Sequence, residues 1–298
     1  MELTEHEMDF DGLGMESDEQ GTESDEQGTY SDEKGMEVDE TSRLREKCIR
    51  FRALIIGRAN AGKTTILKAI CDSTDEPRIY RPGRWRGREE INTDIVSPSM
   101  ERGNHDINDE LVFSSNEGFV FHDSRGFESG STAEVESMKQ FISERASARS
   151  LDEKLHAIWY CIPTDNSRLL VTAELDFFDN CDPKGVPVIV IFTKFDSRDA
   201  VAFNKLEDEG LSFEEAEAKA SQCAEDDFKR DELPRILSQK YPPVKVVYLR
   251  DMDKHNDSKT QDIIEYTTEA LGSDTLKMLL VSVQKTNLNM CIAYALKG

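Results

Sequence analysis

The chain has 298 residues, 37% of them hydrophobic, which is enough to bury one sizeable core. Its formal charge is −23, from 60 acidic against 37 basic residues. Such acidity argues against nucleic acid or an anionic membrane as the main partner, because both are polyanions.

Residues 1 to 40 hold sixteen Asp and Glu against the single Lys34 and so carry −15 of that charge. Within them, 16 to 36 repeat a heptad, "ESDEQGT", "ESDEQGT", "YSDEKGM". No position of the heptad is consistently apolar, so it is not a coiled coil, and with almost nothing to bury it cannot offset its ordering entropy. Residues 1–44 are therefore expected to be a disordered acidic tail that serves as a solubilising appendage, the alternative being a partner-binding or phosphorylated tail that uses Ser17, Ser24 and Ser31.

From residue 48 onward, short apolar runs alternate with longer segments of helical pattern, the signature of an α/β domain with a largely parallel sheet. The runs are 48–56, 109–113, 118–122, 156–162, 186–192 and 244–249, which proposes six strands. Only "SSNE" separates the second from the third, a hairpin gap, so one antiparallel strand is expected in an otherwise parallel sheet. An insertion at 197–243 contains a capping box, Ser212 to Glu215, that should open a charged surface helix. The segment 273–298 has apolar positions at helical spacing and reads as an extension packed on the domain of residues 45–272.

The longest apolar run, "VPVIVIF" at 186 to 192, is too short to span a bilayer, and no lipidation signal is present, so no membrane anchor is expected. The six cysteines form no C-x-x-C pair. They read as reduced thiols of a cytoplasmic protein.

The chemistry begins at "GRANAGKTT", Gly57 to Thr65, which fits G-x-x-x-x-G-K-[ST]. In such a loop the backbone N–H groups of Arg58, Ala59, Asn60, Ala61, Gly62, Lys63, Thr64 and Thr65 can wrap phosphates. Lys63 brings charge to the β and γ oxygens, and the Thr64 hydroxyl can ligate Mg²⁺ at the start of a helix whose dipole favours anions. By average composition a chain of this length matches the pattern about once in a hundred times.

"HDSRG" at 122 to 126 ends an apolar run, placing Asp123 where a carboxylate could hold Mg²⁺ through water and Gly126 where an N–H could approach a γ-phosphate. His122 reads as an ordinary strand residue. "TKFD" at 193 to 196 caps the run "VPVIVIF". An Asp at 196 can accept from both N1–H and the exocyclic amine of guanine, donors that adenine lacks, while the Lys194 stem can lie over the base.

With these motifs the chain resembles the translation-factor class of P-loop GTPases, the Ras-like G domain, over about residues 48 to 272. It looks closest to uncharacterised fungal G-domain proteins, and more distantly to septins and immunity-associated GTPases. The resemblance implies the sheet order 2-3-1-4-5-6 with helices on both faces, and GTP or GDP bound with Mg²⁺. Thr193 stands where the family more often has Asn.

A Gln that orients water is usual directly after D-x-x-G; here that position is Phe127, which cannot hydrogen-bond a water. Slow GTP hydrolysis by a molecular switch is expected, with help from elsewhere. Asn60 resembles the loop Asn that holds K⁺ in bacterial tRNA-modifying and iron-transport GTPases; otherwise it shapes its own loop. Arg78, Arg81, Arg84, Arg86 and Arg88 crowd the segment where a first switch should lie, read as a solvated mobile loop, as a finger toward a second copy of the chain or as a dock for an acidic partner. A homodimer or an effector would then complete the site. A GTP-binding protein that does not hydrolyse is the alternative. The switch Thr that meets Mg²⁺ is assigned to Thr93, with Ser97 and Ser99 as alternatives, and a fifth motif meeting the base through backbone is placed around 249–251.

Overall fold

The computed structural model of the chain describes residues 50–82, 88–91, 106–124, 132–166, 168–252 and 260–284. The acidic tail, Thr93, Ser97, Ser99, Gly126, Phe127, Arg84 and Arg86 lie outside the described residues.

The elements run β1 (Phe51–Gly57), α1 (Lys63–Ile70), β2 (Arg78–Pro82), β3 (Arg88–Ile91), β4 (Glu110–Phe113), β5 (Asn116–Asp123), α2 (Thr132–Ala146), β6 (Ala157–Pro163), α3 (Thr172–Asn180), β7 (Val188–Thr193), α4 (Asp196–Asp208), α5 (Phe213–Asp231), α6 (Pro234–Leu237), β8 (Lys245–Tyr248), α7 (Gln261–Ala270) and α8 (Asp274–Val283). They build an α/β fold on one mostly parallel sheet.

The sheet has eight strands, not the six expected from sequence, in the order β3-β2-β4-β5-β1-β6-β7-β8. The six expected strands stand side by side as β4-β5-β1-β6-β7-β8, and the additional pair extends one edge. Antiparallel pairing is also wider than expected: β4 opposes β5 and β2, and β2 opposes β3. Here lies the arginine-rich segment, whose described parts are strands where a mobile loop was one expectation. Its sequence hides this because an edge pair needs little burial: Ile79 is buried, while Arg81, Glu89 and Glu90 face water. Charge on an edge strand also discourages pairing with another chain.

The central strands are buried on both faces, as parallel strands covered by helices should be. Phe51, Ala53 and Ile55 of β1 point into one core with Trp159, Ile189 and residues of α1, α7 and α8; Leu54 and Ile56 point into the other with Tyr160, Val190, Phe192 and residues of α2 to α6. Strand alternation thus divides one apolar run between two cores.

Polar groups inside are tied down. Arg52, 2% exposed, donates to Glu110 Oε1 at 2.8 Å, to His122 Nε2 at 2.7 Å and to the Asp152 carbonyl. With Nε2 accepting, His122 donates from Nδ1 to the Ile107 carbonyl at 2.8 Å. Burial, then the Arg52 charge, hold this imidazole neutral, well below its ordinary pKa. The capping box forms as expected: the Glu215 N–H donates to Ser212 Oγ, and Glu215 Oε2 accepts from the Ser212 N–H at 3.2 Å.

Candidate functional site

Strands β5, β1, β6, β7 and β8 run parallel, so their carboxyl ends share one rim of the sheet. Ligands of open α/β sheets bind outside such a rim, where neighbouring connections diverge to opposite sides of the sheet. The loop 57–63 leaves β1 at that point, with β5 on one side and β6 on the other.

The loop's glycines have separate reasons. A Cβ at Gly57 would sit 2.5 Å from the Cys161 carbonyl oxygen of β6, so the strand leaves no room for a side chain. Gly62 caps α1 at φ 78, a left-handed backbone that side chains rarely adopt. Asn60, at φ 59, takes the same conformation, which Asn tolerates better than most residues. The first intrahelical bond of α1 runs from the Ile66 N–H to the Gly62 carbonyl. The N–H groups of Lys63, Thr64 and Thr65 therefore lead the helix with no acceptor of its own, and both threonines are exposed.

Lys63 folds over this loop. Its Nζ donates to the Gly57 carbonyl at 2.8 Å and the Arg58 carbonyl at 3.3 Å, and lies 3.7 Å from Asp123 Oδ1. The sheet register brings Asp123 level with Ile55, two residues before the loop. Among the described residues, Asp123 Oδ1 is buried without a hydrogen-bond partner. Burial raises its carboxyl to about 6, and the Lys63 charge works the other way. The side chain as a whole keeps 35% of its surface, so solvent screens part of this effect.

A buried carboxylate oxygen beside an ammonium, on the rim that also carries the exposed Thr64, suits a hydrated Mg²⁺ ion that phosphates would share. Mg²⁺ takes one or two carboxylates and keeps several waters. Among the described residues no cluster of three or more His, Cys, Asp or Glu could hold a metal by protein ligands alone. Of the residues assigned to the metal from sequence, the structure brings Thr64 and Asp123 to one rim; Thr93 lies outside the described residues, as does Gly126.

The second half of the site closes on the first through Thr193. Its hydroxyl, on a residue 2% exposed, donates to the Ala61 carbonyl at 3.1 Å. Thr193 thus joins the end of β7 to the loop 57–63 with its side chain committed to that bond. Thr164, at the end of β6, donates to the Lys194 carbonyl at 2.9 Å and steadies the same turn. Lys194 sits at φ 56, and its Nζ pairs with Asp165 Oδ2 at 2.7 Å.

Asp196 begins α4 with its side chain exposed. One oxygen, Oδ1, accepts from the Asp251 N–H at 3.1 Å. Leu249 holds this second loop in register, accepting from the Phe195 N–H and donating to the Phe192 carbonyl, each at 2.8 Å.

Arg58 adds a contact that the motif does not announce. Its backbone stays in the loop, but the side chain turns away: Nε lies 2.9 Å from Glu174 Oε1, and Nη2 donates to the Leu169 carbonyl at 2.9 Å. Glu174 is 1% exposed and also accepts from the Val171 N–H. The guanidinium thus ties the loop to α3. Ala59 is exposed at the crest, and Ala61 is buried.

Sequence reasoning missed Asp165, Glu174 and Arg250, which belong to no short motif. Around 249–251, where a fifth motif was expected to meet the base through backbone, the Asp251 N–H donates to Asp196, a contact that no side chain in the segment announces.

No protein-family model matches the chain, and no curated protein matches it. Solved structures similar to it include three that each share 14% identity with it. One is a GDP-bound mutant of the S. thermophilus FeoB G-domain, with a TM-score of 0.36 over 75% of this chain and 64% of that one. Another is Aquifex aeolicus Era bound to GDP and AlF4⁻, at 0.36 over 74% and 57%. The third is a GTP-binding protein from the hyperthermophilic archaeon Sulfolobus solfataricus in complex with GDP, at 0.35 over 79% and 58%. The chain spans less than two thirds of the length of each, and similarity at this level decides nothing about its chemistry.

Proposed function

We propose that this chain binds GTP and GDP with Mg²⁺ and hydrolyses GTP slowly, as a molecular switch. The observation that carries the reading is the 3.1 Å bond from Thr193 to the Ala61 carbonyl, which fastens a loop built for phosphate to a turn that presents a carboxylate. Lys63, Asp123 and the leading N–H groups of α1 serve the phosphates and the metal. Asp196 offers its second oxygen, with the first already oriented, to the paired donors of guanine, while adenine would present an acceptor at the corresponding ring nitrogen.

The hydrolytic part of the proposal rests on Phe127, which gives an attacking water no hydrogen bond. Assistance from K⁺ at the exposed Asn60, from a second copy or from a partner would raise the rate. The same Phe127 favours the second reading, a GTP-binding protein that does not hydrolyse at all.

Equilibrium binding of fluorescent GDP and ADP in Mg²⁺ tests the base. GDP should bind tighter by on the order of a hundredfold or more, and Asp196→Ala should erase most of the difference. ADP binding as tightly as GDP sinks the guanine assignment. Turnover in KCl against NaCl tests Asn60: equal rates leave it as a residue that only shapes the loop.

A further inference from the structure

Arg250 follows β8 and immediately precedes Asp251, whose N–H holds Asp196. Its guanidinium is braced from several sides. Nε donates to Asp199 Oδ2 at 2.7 Å and Nη2 to Asp199 Oδ1 at 3.2 Å, a bidentate grip on one carboxylate. Nη1 donates to Glu225 Oε1 at 3.1 Å, and Nη2 also reaches the Ser221 carbonyl at 3.4 Å. The guanidinium carbon lies 4.8 Å over the centre of the Phe195 ring, and Ser221 Oγ donates to Asp199 Oδ2 at 3.1 Å.

This arrangement joins three separate pieces of chain. Phe195 and Asp199 flank Asp196 at the start of α4; Ser221 and Glu225 belong to α5 of the insertion; Arg250 belongs to the loop after β8. The Arg250, Asp199 and Glu225 side chains keep only 24%, 19% and 25% of their surface, so their bonds are weakly screened. A bidentate arginine also fixes direction, which a lysine cannot do. What it secures is a loop under local strain: Asp251 sits at φ 48, a left-handed backbone that persists only where the surroundings over-determine it.

We propose that Arg250 is a positioning residue for base recognition. By tying its own loop to Asp199 and Glu225, it keeps the Asp251 N–H on Asp196 Oδ1 and sets that carboxylate toward the two adjacent donors of a guanine ring. The insertion helix α5 thereby becomes part of the base site without touching the base. The inference rests on the guanine reading above.

The test compares GDP with IDP, whose hypoxanthine lacks the exocyclic amine, by calorimetric titration of the full chain in Mg²⁺. Asp196 must be accurately placed to meet that amine, so Arg250→Ala should narrow the preference for GDP by about tenfold, the worth of one hydrogen bond to a charged group. GDP should weaken more than IDP. Asp199→Asn should shift the ratio in the same direction, and Arg250→Lys should fall between Arg250→Ala and wild type. A brace that served only to hold the helices together would weaken both nucleotides equally or neither, and either result overturns the proposal. Should Arg250→Ala fail to fold, Asp199→Asn and Arg250→Lys are read by the same ratio. A wild-type chain that prefers GDP over ADP, with an unchanged GDP-to-IDP ratio in the variants, refutes the clamp alone. A wild-type chain without that preference refutes the guanine reading and the clamp together.

Discussion

At the scale of single residues, the site depends on where buried polar atoms find partners. Asp123 has a folded-state pKa raised to about 6 by burial, so a proton on it favours the fold. That contribution is present at low pH and lost as pH rises through about 6. Magnesium needs the ionised form, so its effect runs the other way. Mg²⁺-dependent GDP affinity should fall as pH drops through about 6, and Asp123→Asn should flatten that dependence while leaving the nucleotide-free chain at pH 7 at least as stable. Titrations of GDP from pH 5 to 8, paired with thermal melts, check both halves. Thr193→Val keeps the side-chain shape but leaves the Ala61 carbonyl without its donor; a loss of about 1–3 kcal/mol in denaturant unfolding is expected, with weaker GDP binding. Unchanged GDP affinity in that variant would show that the bond does not align the two loops. The "GRANAGKT" and "TKFD" segments were legible because each pattern is local: its residues are neighbours in the chain. The placement of the Arg58 side chain was not, because its partners, Glu174 and the carbonyls of Arg168 and Leu169, lie more than a hundred positions away.

At the scale of elements, helices and central strands followed from periodicity, whereas the edge did not. The β2–β3 pair carries too few apolar positions to announce itself, and it exists because β4 offers an unpaired backbone edge. Packing of α8 is a similar case, decided at Gly118 of β5. A Cβ there would lie 2.8 Å from Val283 Cβ and Cγ1, and beside it Asn116 Nδ2 donates to the Val283 carbonyl at 2.9 Å. Gly118→Ala should therefore cost about 1–3 kcal/mol by pushing α8 off the sheet. Val283→Ala in the same chain should recover part of that loss. Two chemical denaturation series, single and double, give the coupling; strictly additive losses would show that the helix does not rest on this glycine.

At the scale of the whole molecule, the proposed switch needs chemistry that Phe127 does not supply. The isolated chain at submicromolar concentration should turn over GTP more slowly than about 1 per second, the low end of ordinary enzymes. Measured over a hundredfold range of protein concentration, a specific rate that climbs identifies a second copy as the source of help. Ordinary enzyme rates at the lowest concentration would contradict the slow-hydrolysis proposal.

The sequence by itself determined the α/β class, the six strands of alternating or continuous apolar pattern, the helix start at Ser212 and the short motifs whose residues lie next to one another. These are properties of neighbours within a few positions, where backbone geometry and burial periodicity act directly. Only the tertiary structure decided that the sheet has eight strands, that Thr193 is spent on the Ala61 carbonyl, and that Arg250 braces the Asp196 turn against the insertion. Those outcomes depend on hydrogen bonds between segments from tens to more than a hundred residues apart, whose partners are fixed by sheet order and register.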